Sequence, residues 1–264
     1  MNLNTPENSD RIVSSKELKE ELDKLPKQVG FSTGYKKLDT FLREIREGDL
    51  IILTGMTGEG KTSAAVSLTK NFIEQNINCL WFSFEISSQE LMERFGVEVP
   101  IFYLPRLITS KSAQWIEKKI IEGVKKYQTK IVFIDHLHYL TDDVSVRNRN
   151  LPEILGNLCR QFKLFARQHR IIIFLLAHTR KIKGDRHRPT IEDIKDASGI
   201  AQEADTVLII QRKGKRRSKQ VDDEESFDFS TDVRIWIDKN RRNGLLGYID
   251  MMFDLKEKIH KEYE

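Results

Sequence analysis

Apolar and polar positions form alternating blocks along this chain, and the blocks predict strands and helices in turn. Four short runs are almost continuously apolar, which is typical of parallel strands buried on both faces. These runs are Leu50–Leu53, Leu80–Phe84, Ile131–Ile134 and Ile171–Leu176. The stretches between them, such as Thr62–Gln75 and Leu151–His169, have helical period and length. The pattern predicts an α/β fold with a mostly parallel central sheet.

The C-terminal part of the chain predicts further strands with a different connection. Val207–Ile210 and Val233–Ile237 are β-rich apolar runs, and Tyr248–Phe253 follows the turn residues Asn243 and Gly244. An Asn-Gly pair between two strand patterns favours a tight hairpin. We therefore expect a C-terminal antiparallel hairpin at the edge of the sheet.

The N-terminal segment differs in character from the rest. Residues 1 to about 14 are polar and predict a disordered arm, after which the stretch 14–17, Ser-Ser-Lys-Glu, predicts the start of a short helix with a capping serine. Leu18, Leu22 and Leu25 put one apolar stripe on that helix, which is too short to be stable alone. We expect an arm with a linker helix over residues 1–28 and one domain over residues 29–264.

Composition excludes several classes of protein. With 39% hydrophobic and 32% charged residues among 264, the chain can bury a core, and no run has the length of a membrane span. The polar N-terminus is unlike a secretory signal. Cys79 and Cys159 each lie in an apolar stretch, so we expect buried free thiols and an intracellular, cytoplasmic location.

The net charge of +4 is too small to indicate a nucleic-acid partner by itself. Its distribution is more informative, because basic residues concentrate in segments 180–188 and 212–219, and an acidic run follows at 222–228. These segments are either nucleic-acid contacts or solvated loops that neutralise each other.

An eight-residue motif predicts the chemistry. Residues 55–62 fit the phosphate-binding loop G-x-x-x-x-G-K-S/T, with a strand pattern before them and a helix pattern after them. Backbone N–H groups of such a loop surround phosphates, the lysine reaches the β- and γ-phosphates, and the hydroxyl after it binds Mg²⁺. We predict that ATP and Mg²⁺ bind here. The expected nucleotide-binding residues are Gly55, Met56, Thr57, Gly58, Glu59, Gly60, Lys61, Thr62 and Ser63.

Two carboxylates at strand ends are candidates to complete this site. Asp135 ends the apolar run Ile131–Ile134, which is the pattern of a Walker B strand whose carboxylate holds Mg²⁺. Glu85 ends the preceding strand pattern, where it could either accept a proton from the attacking water or cap the next helix.

Ordered motifs over roughly residues 29–256 resemble one family. The phosphate loop, Phe84-Glu85-Ile86-Ser87, Asp135-His136, the block 188–205 and the K-x-R-x-x-G-x-x-G spacing of 239–247 are similar to the RecA-type motor domain of DnaB-like hexameric replicative helicases. The resemblance is greatest to the branch of phage primase–helicases and mitochondrial Twinkle. It implies a RecA-like phosphate-loop NTPase core. From these 264 residues we expect a motor domain without the large N-terminal collar and primase regions of the family.

The resemblance implies a role for each matching residue. Glu85 matches the catalytic base and His178 matches a γ-phosphate sensor, although a histidine at a strand end can equally be structural. Arg241 matches an arginine finger that enters the neighbouring subunit's ATP site, with Lys239 beside it. The adjacent Arg242 leaves the register of the finger open by one position.

The block 188–205 resembles the family's DNA-binding loop. Lys195 stands where arginine is usual, and Ser198-Gly199 stands close to the usual glycine position. Arg186 and Arg188 belong to the basic segment 180–188, whose last residue begins the block. Such residues would contact the phosphate backbone of single-stranded DNA without reading its sequence.

The resemblance as a whole implies an ATP-dependent DNA helicase that moves along single-stranded DNA as a homo-oligomeric ring, expected to be a hexamer, with 5′-to-3′ strand separation. Primase, polymerase or a loader are further expected partners, and a phage or mobile-element origin is compatible with a motor-only architecture. One alternative is a RadA- or KaiC-type ATPase of recombination, repair or signalling. Another is a non-unwinding scaffold or loader that binds DNA and uses ATP to assemble.

Overall fold

An eight-stranded sheet forms the centre of the described part of the chain. The computed structural model describes residues 11–24, 30–140, 151–180, 188–194, 197–213 and 231–263, without the side chains of residues 197 and 198. Strands β1 (Gly30–Phe31) and β2 (Ile45–Arg46) pair separately. The strands of the large sheet are β3 (Leu50–Gly55), β4 (Cys79–Ser83), β5 (Ile131–Asp135), β6 (Ile172–His178), β7 (Thr206–Arg212), β8 (Asp232–Asn240), β9 (Gly247–Asp254) and β10 (Ile259–Glu262).

The order of the strands is β10-β9-β8-β7-β3-β6-β5-β4. The five strands from β7 to β4 are parallel, and β8, β9 and β10 each pair antiparallel with the strand before. The strands from β3 to β7 are buried over most of their length because helices cover both faces, as the continuous apolar runs predicted. The predicted mostly parallel sheet with a C-terminal antiparallel hairpin is confirmed.

The prediction that this hairpin lies at the edge of the sheet is wrong. Strand β10 pairs with β9 along residues 259–262 and is the outermost strand on that side. Its sequence, Ile-His-Lys-Glu, has too little apolar character to be recognised as a strand. It is held instead by a long-range contact, because the backbone N–H of His260 donates to Ser67 Oγ at 2.9 Å.

Seven α-helices lie in the described residues, two of which match the predicted Thr62–Gln75 and Leu151–His169 to within a residue. They are α1 (Ser15–Asp23), α2 (Lys36–Leu42), α3 (Lys61–Glu74), α4 (Ser88–Phe95), α5 (Ala113–Tyr127), α6 (Leu151–His169) and α7 (Ala197–Glu203). The predicted capping serine of α1 is confirmed and is Ser14, whose Oγ accepts from the N–H of Glu17 at 3.1 Å. No residue of α1 is buried, and Leu25 lies outside the described residues.

The helices divide the hydrophobic core into two layers, one on each face of the sheet. Helix α3 buries Leu68 and Phe72 against one face, where Phe72 contacts Phe133 and Phe174. Helices α5 and α6 cover the other face with residues such as Phe162.

Cys79 and Cys159 are free and buried, one in each layer, as predicted. Among the described helices, none combines the length and the apolar character that crossing a membrane would need.

Candidate functional site

The phosphate loop joins β3 to α3 at the carboxyl edge of the parallel strands. Gly60 has φ +98°, a conformation that side chains other than glycine rarely adopt, and α3 begins at the next residue. A Cβ atom added to Gly55 would lie 2.5 Å from the carbonyl oxygen of Ile210, so the close approach of β3 and β7 needs glycine there. The carboxylate of Glu59 accepts from the N–H of Arg212 and ties the loop to the end of β7.

Lys61 lies inside the loop rather than in solvent. Its Nζ donates to the carbonyl oxygens of Gly55 and Met56, both at 3.0 Å, and the residue is 5% exposed. Burial lowers the pKa of the ammonium, against the opposing attraction of Glu85 and Asp135. The cation is therefore held where a phosphate group bound to the loop would meet it.

Thr62 and Asp135 form a pair of oxygens beside Lys61. Thr62 Oγ1 donates to Asp135 Oδ2 at 2.8 Å, which joins the first turn of α3 to the end of β5. Asp135 is 1% exposed, and its Oδ1 has no hydrogen-bond partner among the described residues. Burial raises the pKa of Asp135 to about 6. A buried carboxylate oxygen without a partner, next to a hydroxyl, suits Mg²⁺, which prefers oxygen ligands.

Glu85 follows β4, the strand beside β5. The register pairs Ser83 with Asp135, and the carbonyl of Asp135 accepts from the N–H of Phe84 at 2.5 Å. The helix-cap alternative for Glu85 is wrong, because Ser87 caps α4 and shares a capping box with Glu90. The carboxylate of Glu85, 29% exposed, reaches back toward the end of β5, where His136 Nδ1 lies 2.9 Å from its Oε2.

His178 ends β6 directly opposite Gly55 in the register of β3 and β6. Its Nε2 lies 3.8 Å from Glu85 Oε1, and its Nδ1 is buried without a hydrogen-bond partner among the described residues. Burial, together with the charge of Lys61, lowers the pKa of His178 to about 4. The imidazole is therefore neutral near pH 7 and can offer one N–H donor to an anion.

An open cavity of about 210 Å³ adjoins the phosphate loop at Gly60 and Ser63. It is lined by Gly60, Ser63, Arg212, Val233, Phe253 and His260. The cavity combines apolar walls with a route to the loop, which suits the base and ribose of a nucleotide. Its C-terminal lining residues had no recognisable motif, since β10 brings them to the loop only in the folded chain.

The predicted finger residues lie at the opposite end of the sheet from the phosphate loop. Asn240 pairs with Thr206, and Thr206 pairs with Ile51, so Arg241 is near the start of β3. Gly55 is four positions after Ile51, which is roughly 13 Å along a strand. Arg241 of one chain is therefore far from that chain's own loop.

Each of the three basic residues at the end of β8 and in the turn after it has a partner within the chain. Arg241 donates to the carbonyl of Gln202 at 2.9 Å, and Lys239 Nζ donates to the carbonyls of Ala201 and Gln202 at 2.7 and 3.2 Å. Burial and the charge of Arg241 lower the pKa of Lys239. Arg242 makes the firmer ion pair, since it contacts both carboxylate oxygens of Asp49 at 3.1 and 2.9 Å.

The predicted DNA-binding residues are only partly described. Lys195 and Arg186 lie outside the described residues, as does the side chain of Ser198. Arg188 is paired with Asp238 at 2.7 Å and lies over the ring of Trp236. Gly199 packs on Gly156 of α6, where an added Cβ would lie 2.6 Å from the Gly156 Cα.

The fold and the site together define a class of protein. A phosphate loop after β3, a buried carboxylate at the end of the Walker B strand β5 and a parallel sheet continued by antiparallel strands are the features of a RecA-like NTPase domain. Among the described residues, Lys61, Thr62, Asp135, Glu85 and His178 come together at one edge of this sheet.

Comparison with known proteins narrows the class to one family. The model of the DnaB-like helicase C terminal domain matches residues 30–101 and 102–261. The chain belongs to this family, which confirms the resemblance seen in the sequence. The branch of phage primase–helicases and Twinkle stays a prediction.

The relatives found among curated proteins are replicative helicases. The chain is 26% identical over 262 residues to a probable replicative DNA helicase of Trieres chinensis, which covers 87% of the chain and 56% of that protein. It is 27% identical over 218 residues to the replicative DNA helicase DnaB of Helicobacter pylori strain J99, covering 70% of the chain and 44% of that protein. The chain thus spans about half the length of these relatives.

Two solved structures share the fold. A DnaB-like replicative helicase, described with its interactions with primase, superposes with a TM-score of 0.76 at 16% identity and covers 97% of this chain and 68% of that one. A second structure, described as an ATPase domain, gives 0.75 at 17% identity and covers 94% of this chain and 97% of that one. The arrangement of elements is therefore that of DnaB-type ATPase domains.

Proposed function

We propose that this chain is the ATP-hydrolysing motor of a DNA helicase, which assembles as a homo-oligomeric ring, expected to be a hexamer, on single-stranded DNA. The observation that carries the proposal is the 2.8 Å contact of Thr62 Oγ1 with Asp135 Oδ2 beside the buried Lys61. This arrangement is suited to a nucleoside triphosphate with its Mg²⁺, and membership of the helicase family supports ATP as the nucleotide.

Different residues of the site would bind the phosphates and the Mg²⁺ ion. Lys61 and the backbone N–H groups of residues 55–63 would bind the phosphates, while Thr62 and Asp135 would hold Mg²⁺. The bound cation neutralises charge on the phosphates. Ionisation of Asp135 is favoured once a cation lies next to it, which offsets the effect of burial on its pKa. The cavity beside Gly60 and Ser63 is the expected place of the base and ribose.

Hydrolysis needs a base for the attacking water and donors for the γ-phosphate. Glu85 is the candidate base, since its carboxylate is partly exposed and lies within 3.8 Å of His178. His178, neutral at pH 7, would donate a hydrogen bond to the γ-phosphate and report its presence. The proximity of these two side chains supports a shared role in one reaction.

The position of Arg241 supports the proposal that subunits assemble into a ring. Because Arg241 lies roughly 13 Å or more along the sheet from its own phosphate loop, it cannot complete that site without large rearrangement. The side chain of Arg241 is half exposed, donates to the carbonyl of Gln202 at 2.9 Å and pairs with Asp205 at the longer distance of 3.5 Å. It would exchange these contacts for a neighbour's phosphate. We propose that Arg241, with Lys239 beside it, enters the ATP site of the next subunit.

The contact with DNA rests on charge and on family membership. The proposed contacts with the DNA backbone are Lys195, the basic segment 180–188 with Arg186 and Arg188, and Ser198 and Gly199 in the first turn of α7. The helicase neighbour whose interactions with primase have been described supports primase as a further partner.

Unwinding of a forked DNA duplex tests the proposal. With ATP and Mg²⁺ the wild-type protein should separate the strands, and Lys61→Ala should not. Wild-type protein that hydrolyses ATP without separating any fork would contradict the helicase and favour the scaffold or loader. The control Lys70→Ala removes a lysine from the same helix, away from the loop, and should unwind as wild type does.

A further inference from the structure

The candidate base Glu85 is held in place by a buried histidine with no predicted role of its own. His136 Nδ1 lies 2.9 Å from Glu85 Oε2, and His136 is 4% exposed. A carboxylate accepts hydrogen bonds only, so Nδ1 is the donor of this contact. The partly exposed carboxylate would otherwise be free to turn between rotamers.

The ring of His136 is itself fixed on two sides. It packs edge to face with Tyr139, at 4.7 Å between centroids and 83° between planes, and with His178, at 4.2 Å and 77°. The carbonyl of His136 also accepts from the N–H of Tyr139 at 3.2 Å. The donor atom is therefore presented to Glu85 in one orientation.

This contact decides which oxygen of Glu85 faces the reaction. Oε2 accepts from His136, while Oε1 is left on the side of His178, with Nε2 at 3.8 Å. The opposite charges of Glu85 and Lys61 also interact. A general base is effective only when its lone pair points at the proton that it removes, so the orientation of Oε1 matters for the rate.

We propose that His136 is a positioning residue for hydrolysis: it donates Nδ1–H to Glu85 Oε2 and so directs Oε1 toward the attacking water. This role rests on the proposed ATPase function and deepens it. The effect of His136 on the rate passes through Glu85, so His136 should contribute to turnover and not to nucleotide binding.

Two replacements of nearly equal shape separate the hydrogen bond from the packing of the ring. Asparagine places its amide nitrogen where Nδ1 lies in histidine, and leucine has the same branching without a donor. His136→Asn and His136→Leu both remove the ring and differ in the donor. A suitable control is His169→Leu, which removes another histidine–glutamate contact, 3.2 Å to Glu117, between α6 and α5.

The measurement is kcat and KM for ATP, with nucleotide affinity and thermal unfolding recorded for each variant. His136→Leu should lower kcat at least about tenfold with KM within about twofold, as the loss of a residue that orients a functional group does. His136→Asn should stay within about threefold of wild type, and His169→Leu should match wild type. If the leucine variant does not fold, His136→Ala takes its place as the variant without a donor.

Equal losses in the asparagine and leucine variants would overturn the proposal and assign His136 to packing. Wild-type kcat in the leucine variant would overturn it as well. Wild-type protein without ATP turnover would instead overturn the proposed function, together with any role that rests on it.

Discussion

Lys61 and Glu85 illustrate, at the scale of single residues, how different surroundings imply different roles. The ammonium of Lys61 is buried and bound to two loop carbonyls, whereas the carboxylate of Glu85 is partly exposed at the end of a neighbouring strand. A residue that contacts the phosphates contributes to ground-state binding. A residue that contacts only the attacking water contributes to turnover.

Replacing each of these residues should therefore give a different kinetic result. Lys61→Ala should abolish hydrolysis and weaken nucleotide binding at least about tenfold, because the loop loses its charged donor to the phosphates. Glu85→Gln should bind nucleotide as wild type does and lose turnover by about a hundredfold or more. Equilibrium binding of a fluorescent ATP analogue, together with steady-state phosphate release, measures both quantities.

One matched control lies on the helix that carries Lys61, and the other lies on α4, the helix that follows Glu85. Lys70→Ala on α3 and Glu93→Gln on α4 make the same changes of charge at a partly exposed and an exposed position, and both should behave as wild type. A Glu85→Gln protein that turns over at a near wild-type rate would remove Glu85 from the mechanism.

Local motifs made most of the site predictable at this scale. The phosphate loop is determined by eight consecutive residues, and Asp135 is marked by the apolar strand that it ends. The contact of His136 with Glu85 was not predictable, because the two residues are 51 positions apart and meet only through the pairing of β4 with β5. Neighbouring strand ends are joined by topology and not by a sequence spacing.

Strand β10 shows the same limit at the scale of secondary-structure elements. Apolar runs, with the Asn-Gly turn before β9, were enough to predict β3 to β9, whereas β10 is only four residues long and carries two charged side chains. Its stability comes from α3, where His260 Nδ1 lies 3.2 Å from Ser67 Oγ. A strand that depends on such a tertiary contact cannot be predicted from its own sequence.

The burial of His260 predicts how stability depends on pH. Burial lowers the pKa of His260 to about 4 in the folded chain, and its value in the unfolded chain is about 6.5. Between these values the unfolded chain binds more protons, so the free energy of unfolding should fall as the pH decreases from about 6.5 to about 4. The contribution of this residue is up to about 3 kcal/mol.

Chemical denaturation at several pH values in this window, with wild type and His260→Asn, measures the effect. The asparagine variant should show a smaller change of stability with pH, although His178 leaves part of the dependence in both proteins. The same slope in both proteins would mean that the protonation of His260 does not differ between the folded and unfolded states.

Helix α1 is the other element with a testable consequence. Leu18 and Leu22 are 44% and 54% exposed, and α1 buries no residue against the described chain. A nine-residue helix with an exposed apolar stripe needs a surface to pack on, and we propose that a neighbouring subunit provides it.

Removal of residues 1–27 should therefore leave a folded domain but weaken assembly. Sedimentation velocity of the full-length and truncated proteins at equal concentration compares their oligomers, and thermal unfolding verifies that both are folded. As a control, Leu18 and Leu22 can be replaced by serine in the full-length chain, which should weaken assembly in the same way. An oligomer of unchanged size in the truncated protein would mean that α1 has no part in the ring.

The ATP site as a whole is expected to be complete only in the assembly. One chain supplies the loop, Asp135, Glu85 and His178 at one edge of its sheet, and carries Arg241 at the other. The family resemblance suggested a trans arginine, and the register of β3, β7 and β8 gives the geometric reason. Neither the packing of subunits nor the DNA contact of residues such as Lys195 follows from the described residues of a single chain.

Mixing two inactive variants tests the shared site. Arg241→Ala should bind ATP almost normally and hydrolyse it on the order of a thousandfold more slowly, because a finger acts on charge that develops in the transition state. Added Lys61→Ala subunits carry an intact Arg241, so mixed rings should contain some complete sites and recover part of the activity.

The result depends on proof that mixed rings form, for which a differently tagged copy of each variant can be co-purified. No recovery in verified mixed rings would contradict the trans role of Arg241. If Arg242→Ala is the inactive variant while Arg241→Ala is active, the finger lies one residue further along.

The most direct test of the whole account is the rate of ATP hydrolysis with and without single-stranded DNA. We predict that DNA of mixed sequence raises phosphate release by the wild-type protein. Added salt should weaken this effect steeply, because phosphate contacts release counterions. Glu85→Gln should be inactive with or without DNA. Wild-type protein that releases phosphate no faster than Glu85→Gln, in the presence of DNA and Mg²⁺, would contradict the claim that this chain is a DNA-driven ATPase.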